Sequence, residues 1–273
     1  MAAVSQKGES EMRRVIFNQK GGVGKSSITV NLAAISAAHG KKTLVVDLDP
    51  QCNASQYLLG EAAEFSRDKV ELTPNIGQFF AQTLSFNLKE KPLSEYVHKT
   101  PHDNLHVIPS NPELGEIEHL LESKHKIFKL ASALKALSDT YDAIYIDTPP
   151  AFNFYTLSAL IAAQRCVIPF DCDAFSRRAL YTLLENVGEA RADHNDELEV
   201  EGIIVNQFQP RASLPVKLVE ELRAEGLPIF RSHLSSSVIM KESHERGLPL
   251  IHLSPRHKLT EEYVALFHEL NPA

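Results

Sequence analysis

Phe17-Asn18-Gln19-Lys20-Gly21-Gly22-Val23-Gly24-Lys25-Ser26-Ser27 decides the fold of this chain. The apolar run Val15-Ile16-Phe17 leads into it and reads as a buried strand. Ile28 to Ile35 follows it with helical spacing and strong helix formers. Strand, glycine loop and helix, in that order, form the setting of a phosphate-binding loop. Gly21, Gly22 and Gly24 let backbone N–H groups turn toward an anion with no Cβ in the way. The helix start adds unpaired N–H groups and the positive end of its dipole. Lys25 supplies an ammonium for the β- and γ-phosphates, and the Ser26 hydroxyl is a ligand for Mg²⁺. Val23 and Ser27 complete the cradle. The alternative is a glycine-rich strand-to-helix turn that binds nothing, and the acidic motifs downstream speak against it.

Working outward, Thr43-Leu44-Val45-Val46 is a continuous apolar strand that ends in Asp47-Leu48-Asp49-Pro50-Gln51. Two acids at a strand's C-terminal end sit on the edge where α/β folds place ligands. A spacing of two puts them on one side if the strand continues that far. The other reading is a solvated turn whose aspartate caps a helix beginning near Asn53. A second apolar strand, Ala143-Ile144-Tyr145-Ile146, delivers Asp147-Thr148-Pro149-Pro150. A strand ending in aspartate is the Walker B arrangement, in which the carboxylate holds a Mg²⁺-bound water.

The usual loop pattern would require glycine at position 19, where this chain has Gln19 and, next to it, an additional lysine, Lys20. Lys20-Gly21-Gly22-Val23-Gly24-Lys25-Ser26, with the D-L-D-P-Q and D-T-P-P runs, resembles the ParA/MinD superfamily of deviant Walker A ATPases, on the side of its ParA-type partitioning members. The likeness runs from about Arg13 to the C-terminus. It implies a doubly wound α/β fold with a mostly parallel sheet, ATP and Mg²⁺ as ligands, and an ATP-dependent homodimer in which Lys20 acts across the interface. It implies Asp49 positioning the attacking water, Asp47 and Asp147 in the Mg²⁺ shell through water, and Asn206 beside the nucleotide base. The activity it implies is slow hydrolysis of ATP, stimulated by a ParB-like or other partner protein. The role is a switch that positions or segregates a plasmid, a chromosome or a protein assembly by ATP-dependent nonspecific DNA binding. Many ParA proteins carry R-x-x-E-A where this chain reads Ile239-Met240-Lys241-Glu242-Ser243, so Ile239 stands where an arginine linked to DNA is common. Two alternatives share the fold: a MinD-like surface-positioning ATPase and a metal- or cluster-delivering NTPase.

At 273 residues the chain is long enough to bury a large core, and 43% hydrophobic content suits a soluble globular protein. Residues 1–11 are polar, without an apolar signal core, and read as a disordered lead; residues 12–273 read as one ATPase domain. No apolar run approaches the ~18 residues of a membrane span, and the expected location is the cytoplasm, with the nucleoid as the implied surface. Cys52, Cys166 and Cys172 form no C-x-x-C pair. The pairs His102 with His106 and His119 with His125 lack a ligand set and read as surface residues. The net charge of −7 marks no global nucleic-acid binder, so any DNA contact needs a local patch.

The remaining chain continues the βα alternation. Residues 61–71 read as a loop, 76–80 and 93–97 as short helices. The region 61–103 has no readable role; Phe79, Phe80, Phe86 and Leu88 read as core, with a dimer or partner face as the other reading. Strands are expected at 104–110, 165–170, 202–205 and 228–230, and helices from 111, over 127–137, 174–190, 214–224, 237–246 and 258–270. Asn206, at the end of the 202–205 strand, has a donor and an acceptor for adenine's edge, though turn chemistry explains it equally well. Arg177 and Arg178 sit at the wrong end of their helix for its dipole, which leaves a partner or a solvated helix start. Arg211, Lys217, Arg223, Lys241 and Arg246 are the candidate DNA contacts; scattered solubilising charges are the other reading. The last helix carries Glu261, Glu262 and Glu269, which argues against an anionic membrane.

Overall fold

The computed structural model describes residues 11–60, 74–84, 89–172, 176–209 and 213–272. Its centre is a seven-stranded sheet made of β1 (Met12–Ile16), β2 (Thr43–Asp47), β3 (His98–Lys99), β4 (Leu105–Ile108), β5 (Ala143–Asp147), β6 (Arg165–Asp171) and β7 (Glu199–Asn206). The spatial order is β3-β4-β2-β5-β1-β6-β7, and every pairing is parallel except that of β3 with β4. Parallel strands covered on both faces need unbroken apolar runs, and all five residues of β2 and of β5 are buried.

Successive side chains of the central strands go to opposite faces. Val15, Leu44, Val46, Ile144 and Ile146 enter one core. That core also takes residues of α3 (Ile76–Ala81), α4 (Leu114–Ser123), α5 (Lys129–Lys135), α6 (Phe154–Ala162) and α7 (Ser176–Asp193). Ile16, Val45, Tyr145 and Val167 enter the other. It is shared with α1 (Lys25–Ala38), α2 (Asn53–Leu59), α10 (Leu250–Leu253) and α11 (Lys258–Leu270). Helix α1 is buried along most of its length because both the sheet and the outer helices cover it. Two further helices complete the alternation on opposite sides: α8 (Ser213–Ala224) sends Leu222 into the first core, and α9 (Val238–Glu245) packs Ile239 and Met240 against the second.

The strand order is what builds the site. β2, β5 and β1 are neighbours, so the C-terminal ends that carry Asp47, Asp147 and Phe17 lie side by side. Asp47 is directly opposite Asp147, and Ile16 is opposite Asp147 on the other flank. This is the carboxyl edge on which doubly wound sheets hold ligands. Among the described residues, no helix is long and apolar enough to cross a membrane.

Several sequence expectations change. The run 228–230 is not a strand; it makes one isolated bridge, Ile203 to Ile229. The Phe230 ring there fills the space that a side chain at Gly202 would take. The short antiparallel β3 and the single-turn α10 carry too little pattern to be read. Phe79 and Phe80 are core, while Phe86 and Leu88 lie outside the described residues. The histidines near β4 are not simple surface residues. His102 stacks flat on His252 with centroids 4.1 Å apart, and His106 Nδ1 is 2.8 Å from the Tyr141 hydroxyl. Arg177 has a partner: its guanidinium meets Glu221 of α8 and Glu225 just past its end, and ties α7 to that helix.

Gly202→Ala tests the packing over β7. A Cβ there would stand 2.4 Å from Phe230 Cε2, and Phe230 is buried. The expected loss is about 1–3 kcal/mol of unfolding free energy, the usual penalty of overpacking, measured by denaturant titration. An unchanged midpoint would show that Phe230 moves aside freely.

Candidate functional site

The glycine loop is held in shape from two sides. Gly22 and Gly24 have φ of +77° and +89°, a region that disfavours any residue with a Cβ. Gly24 is also crowded: a Cβ there would meet Asn206 Nδ2 at 2.4 Å. From the end of β7, Asn206 Nδ2 donates to the Val23 carbonyl at 2.9 Å and Gln207 Nε2 donates to the Gly22 carbonyl at 3.2 Å. With those carbonyls occupied, the loop's N–H groups are the side left for an anion. Asn206 thus stands at the loop itself, with one N–H of its side-chain amide on the Val23 carbonyl. On the other flank Asn18 Nδ2 donates to the Pro169 carbonyl, while Asn18 Oδ1 accepts from the Lys20 N–H at 2.8 Å.

The two lysines are placed differently. Lys25 is 7% exposed and its Nζ donates to the Lys20 carbonyl at 2.9 Å, closing the loop on itself. Burial pulls its pKa down, and the charges of Asp147 and Asp49 pull it back up. Lys20 reaches outward, and its Nζ is 2.6 Å from Asp171 Oδ2 at the end of β6.

Asp47 and Asp147 are both fully buried. Asp47 is framed by donors: Oδ1 accepts the Asp49 N–H at 3.0 Å, and Oδ2 accepts the Ser55 N–H and hydroxyl at 2.8 and 2.6 Å. Ser55 Oγ in turn accepts the Ser110 N–H, so one carboxylate gathers the ends of β2, α2 and β4. Burial raises the Asp47 pKa to about 7 despite these donors. Burial also raises Asp147 well above the ordinary carboxylate range, with the adjacent Asp47 charge adding to it and the Ser26 hydroxyl opposing it. Asp147 Oδ2 is buried with no hydrogen-bond partner among the described residues. An orphaned carboxyl oxygen, next to the Ser26 hydroxyl and within the field of Lys25, fits a hydrated divalent cation, whose charge would offset the burial that disfavours its ionised form. Asp49 is nearly buried, its Oδ1 held at 2.9 Å by the Gln51 N–H, and burial raises its pKa too.

A cleft of about 560 Å³ opens from this floor. Its walls come from α2, the 235–237 stretch, α9 and α11, with Gln56, Tyr57, Ser236 and Met240 among the lining residues. Acids of α11 shape the far wall. Glu269 accepts the N–H groups of Arg231 and Ser232, and Glu262 accepts the Ser235 N–H and hydroxyl. These carboxylates cap a loop, a use their sequence does not announce. Sequence reasoning also missed Ser55, Tyr57 and His244, each brought in from a distant turn or helix with no local motif to flag it.

The described basic candidates each have their own setting. Lys241 lines the cleft. Arg246 pairs with Glu242 at 3.2 Å on the same helix. On α8, Lys217 lies 3.8 Å from Glu221, and Arg223 Nη2 donates to the Phe230 carbonyl. Arg211 lies outside the described residues.

Gly24→Ala tests the loop geometry. A left-handed backbone with a Cβ costs about 1–2 kcal/mol, and displacing Asn206 releases the Val23 clamp. Lower unfolding stability and weaker nucleotide binding are expected together in calorimetry. Wild-type values for both would mean that the clamp does not shape the loop.

With this geometry in place, the relatives can be weighed. The family model described as AAA domain matches residues 13–200. A chromosome partitioning protein ParA of Myxococcus xanthus is 34% identical over 258 residues, covering 93% of this chain and 86% of that protein. Among solved structures, apo McdA of Cyanothece superposes with a TM-score of 0.80 at 22% identity, covering 96% of this chain and 100% of that one. Cobyrinic acid a,c-diamide synthase of Mycobacterium smegmatis, with an ATP analogue and magnesium bound, gives 0.79 at 20% identity, with 96% of each chain covered. Those two likenesses speak for the fold, which carries different chemistries. The sequence relationship and the deviant loop go further, and they place this chain in the ParA/MinD superfamily of P-loop ATPases, on its ParA partitioning side.

Proposed function

We infer that residues 12–273 act as one ATP-hydrolysing switch that positions or segregates a cargo. The observation that carries this is the buried, unpartnered Asp147 Oδ2 beside Ser26 and Lys25 at the foot of the glycine loop. Such an oxygen is costly in a merely structural turn and useful where a nucleotide-bound cation sits. Ser26 and, through water, Asp147 and Asp47 would hold Mg²⁺, which supplies charge neutralisation to the phosphates. Lys25 and the loop N–H groups bind the β- and γ-phosphates and keep them fixed. Asp49, the acid nearest the open cleft, orients the attacking water. Its contact with the Gln51 N–H leaves the other oxygen for that task.

The regulatory half of the reading concerns Lys20. In the monomer it is engaged with Asp171. Acting on the nucleotide of a second copy requires it to leave that carboxylate, so ATP-dependent dimerisation and hydrolysis are linked. Partner-stimulated slow turnover, cytoplasmic location, and nonspecific binding of the ATP dimer to nucleoid DNA complete the proposal. Its support is the relationship to a ParA protein.

Three substitutions separate the roles. Lys25→Ala should weaken nucleotide binding about a hundredfold, the upper weight of a charged contact. Lys20→Ala should leave monomer binding intact and reduce the ATP-dependent dimer or its turnover. Asp49→Ala should bind and dimerise yet turn over no ATP. Nucleotide titration, light scattering and phosphate release read these out, and wild-type turnover by the Asp49 variant would sink the assignment.

For DNA, binding should require ATP and ignore base sequence. It should weaken with salt at a log–log slope of about 0.9 per phosphate contact. Arg246→Glu should lower both affinity and slope while nucleotide still binds; Lys241→Glu, in the cleft wall, should lower DNA affinity further and is read beside a nucleotide titration of the same variant. Wild-type protein with ATP that shows no retention on DNA at low salt would move the carrier surface from DNA to a protein scaffold.

A further inference from the structure

His244 belongs to α9, far from the loop in sequence, yet its Nε2 lies 2.9 Å from Ser27 Oγ, one residue past the candidate Mg²⁺ ligand. Both residues line the cleft. The imidazole is not there by chance rotation, because α9 is docked by a directional chain. Asn31 Nδ2 donates to the Tyr57 hydroxyl at 3.2 Å, and Tyr57 meets Ser243 Oγ, which donates to the Leu248 carbonyl at 2.6 Å. With the Ser243 proton spent on Leu248, Tyr57 is the donor to Ser243. Asn31 also donates to the Ser27 carbonyl at 2.8 Å and accepts the Leu250 N–H at 2.8 Å. The His244 ring packs edge-on against Tyr57, with centroids 4.8 Å apart. Helix α9 and Ser27 are therefore registered to one another before any ligand arrives.

The donor count at Ser27 gives this contact a direction. A serine hydroxyl has one proton and two acceptor sites, and an ionised phosphate oxygen accepts only. If Ser27 donated to His244, its proton would point away from the loop. If Nε2 carries the hydrogen, His244 donates to Ser27 Oγ and the serine proton is left for the phosphate. Desolvation lowers the His244 pKa and so favours the neutral ring, and the donor role toward Ser27 belongs to the tautomer with its hydrogen on Nε2.

We propose that His244 is a positioning residue of the nucleotide site: its Nε2–H donates to Ser27 Oγ and aims the Ser27 hydroxyl at a phosphate of the bound nucleotide. This rests on the nucleotide reading above. It also makes α9, the helix that carries Lys241 and ends just before Arg246, a direct neighbour of the phosphates through one hydrogen bond.

The test is a double-mutant cycle on Mg·ADP affinity by titration calorimetry. His244→Ala and Ser27→Ala should each weaken binding about fivefold, the weight of one ordinary hydrogen bond. The double variant should be no weaker than either single, rather than the roughly 25-fold expected of independent sites. His244→Gln, which keeps an N–H donor, should recover most of the loss. His244→Glu, which can only accept, should be worse than alanine. An additive cycle, or glutamine no better than alanine, overturns the proposal. Should His244→Ala fail to fold, a cycle of His244→Gln with Ser27→Ala decides it: glutamine binds Mg·ADP near wild type, and a glutamine variant as weak as Ser27→Ala overturns the proposal. If wild type and Lys25→Ala bind Mg·ADP equally, the nucleotide reading falls and takes this with it. Tight wild-type binding with an additive cycle defeats this inference alone.

Discussion

Asp47 and Asp147 are forced side by side, without solvent, by the register of β2 on β5. Two adjacent buried carboxylates repel each other and are poorly solvated, so their environment must supply positive charge or donors. The molecule supplies them unevenly. Asp47 is satisfied by Ser55 and the Asp49 N–H, and it becomes a structural knot for three chain segments. Asp147 keeps a bare oxygen. That asymmetry leaves one bare carboxyl oxygen at the sheet edge, with the Lys25 ammonium as the positive charge nearby.

The loop depends on the same strand order. β7 ends two strands from β1, and its Asn206 and Gln207 reach back to hold the Val23 and Gly22 carbonyls. Occupying the carbonyls orients the amide dipoles in advance, which is how a phosphate site avoids reorganisation when ligand binds. The buried Lys25 and the exposed Lys20 then divide the work by location. One ammonium points into its own site, and the other sits at the rim on Asp171, where breaking an exposed ion pair costs little.

The far wall of the cleft shows how residues without any motif come to matter. Glu262 and Glu269 of α11 look like solvated charges in sequence, and in the fold they cap the backbone of 231–235. His244 looks like one of twelve scattered histidines and sits on the loop's own serine. Lys241, a surface cation by its place on a helix, lines the nucleotide cleft.

The sequence by itself determined the parallel sheet, the phosphate loop and the acids at its strand ends. These are local matters: glycine at left-handed φ, unbroken apolar runs for strands covered on both faces, and aspartates directly after those strands. It could not set the partners of each acid, the bridge at 229 in place of a strand, or the stacking of His102 on His252. Those follow from which segments meet, and a hydrogen bond between residues 217 positions apart, such as Ser27 with His244, leaves no periodic trace. Tertiary structure decided them because the geometry of a polar contact depends on how whole helices dock, and docking is governed by the summed packing of two cores rather than by any short stretch of chain.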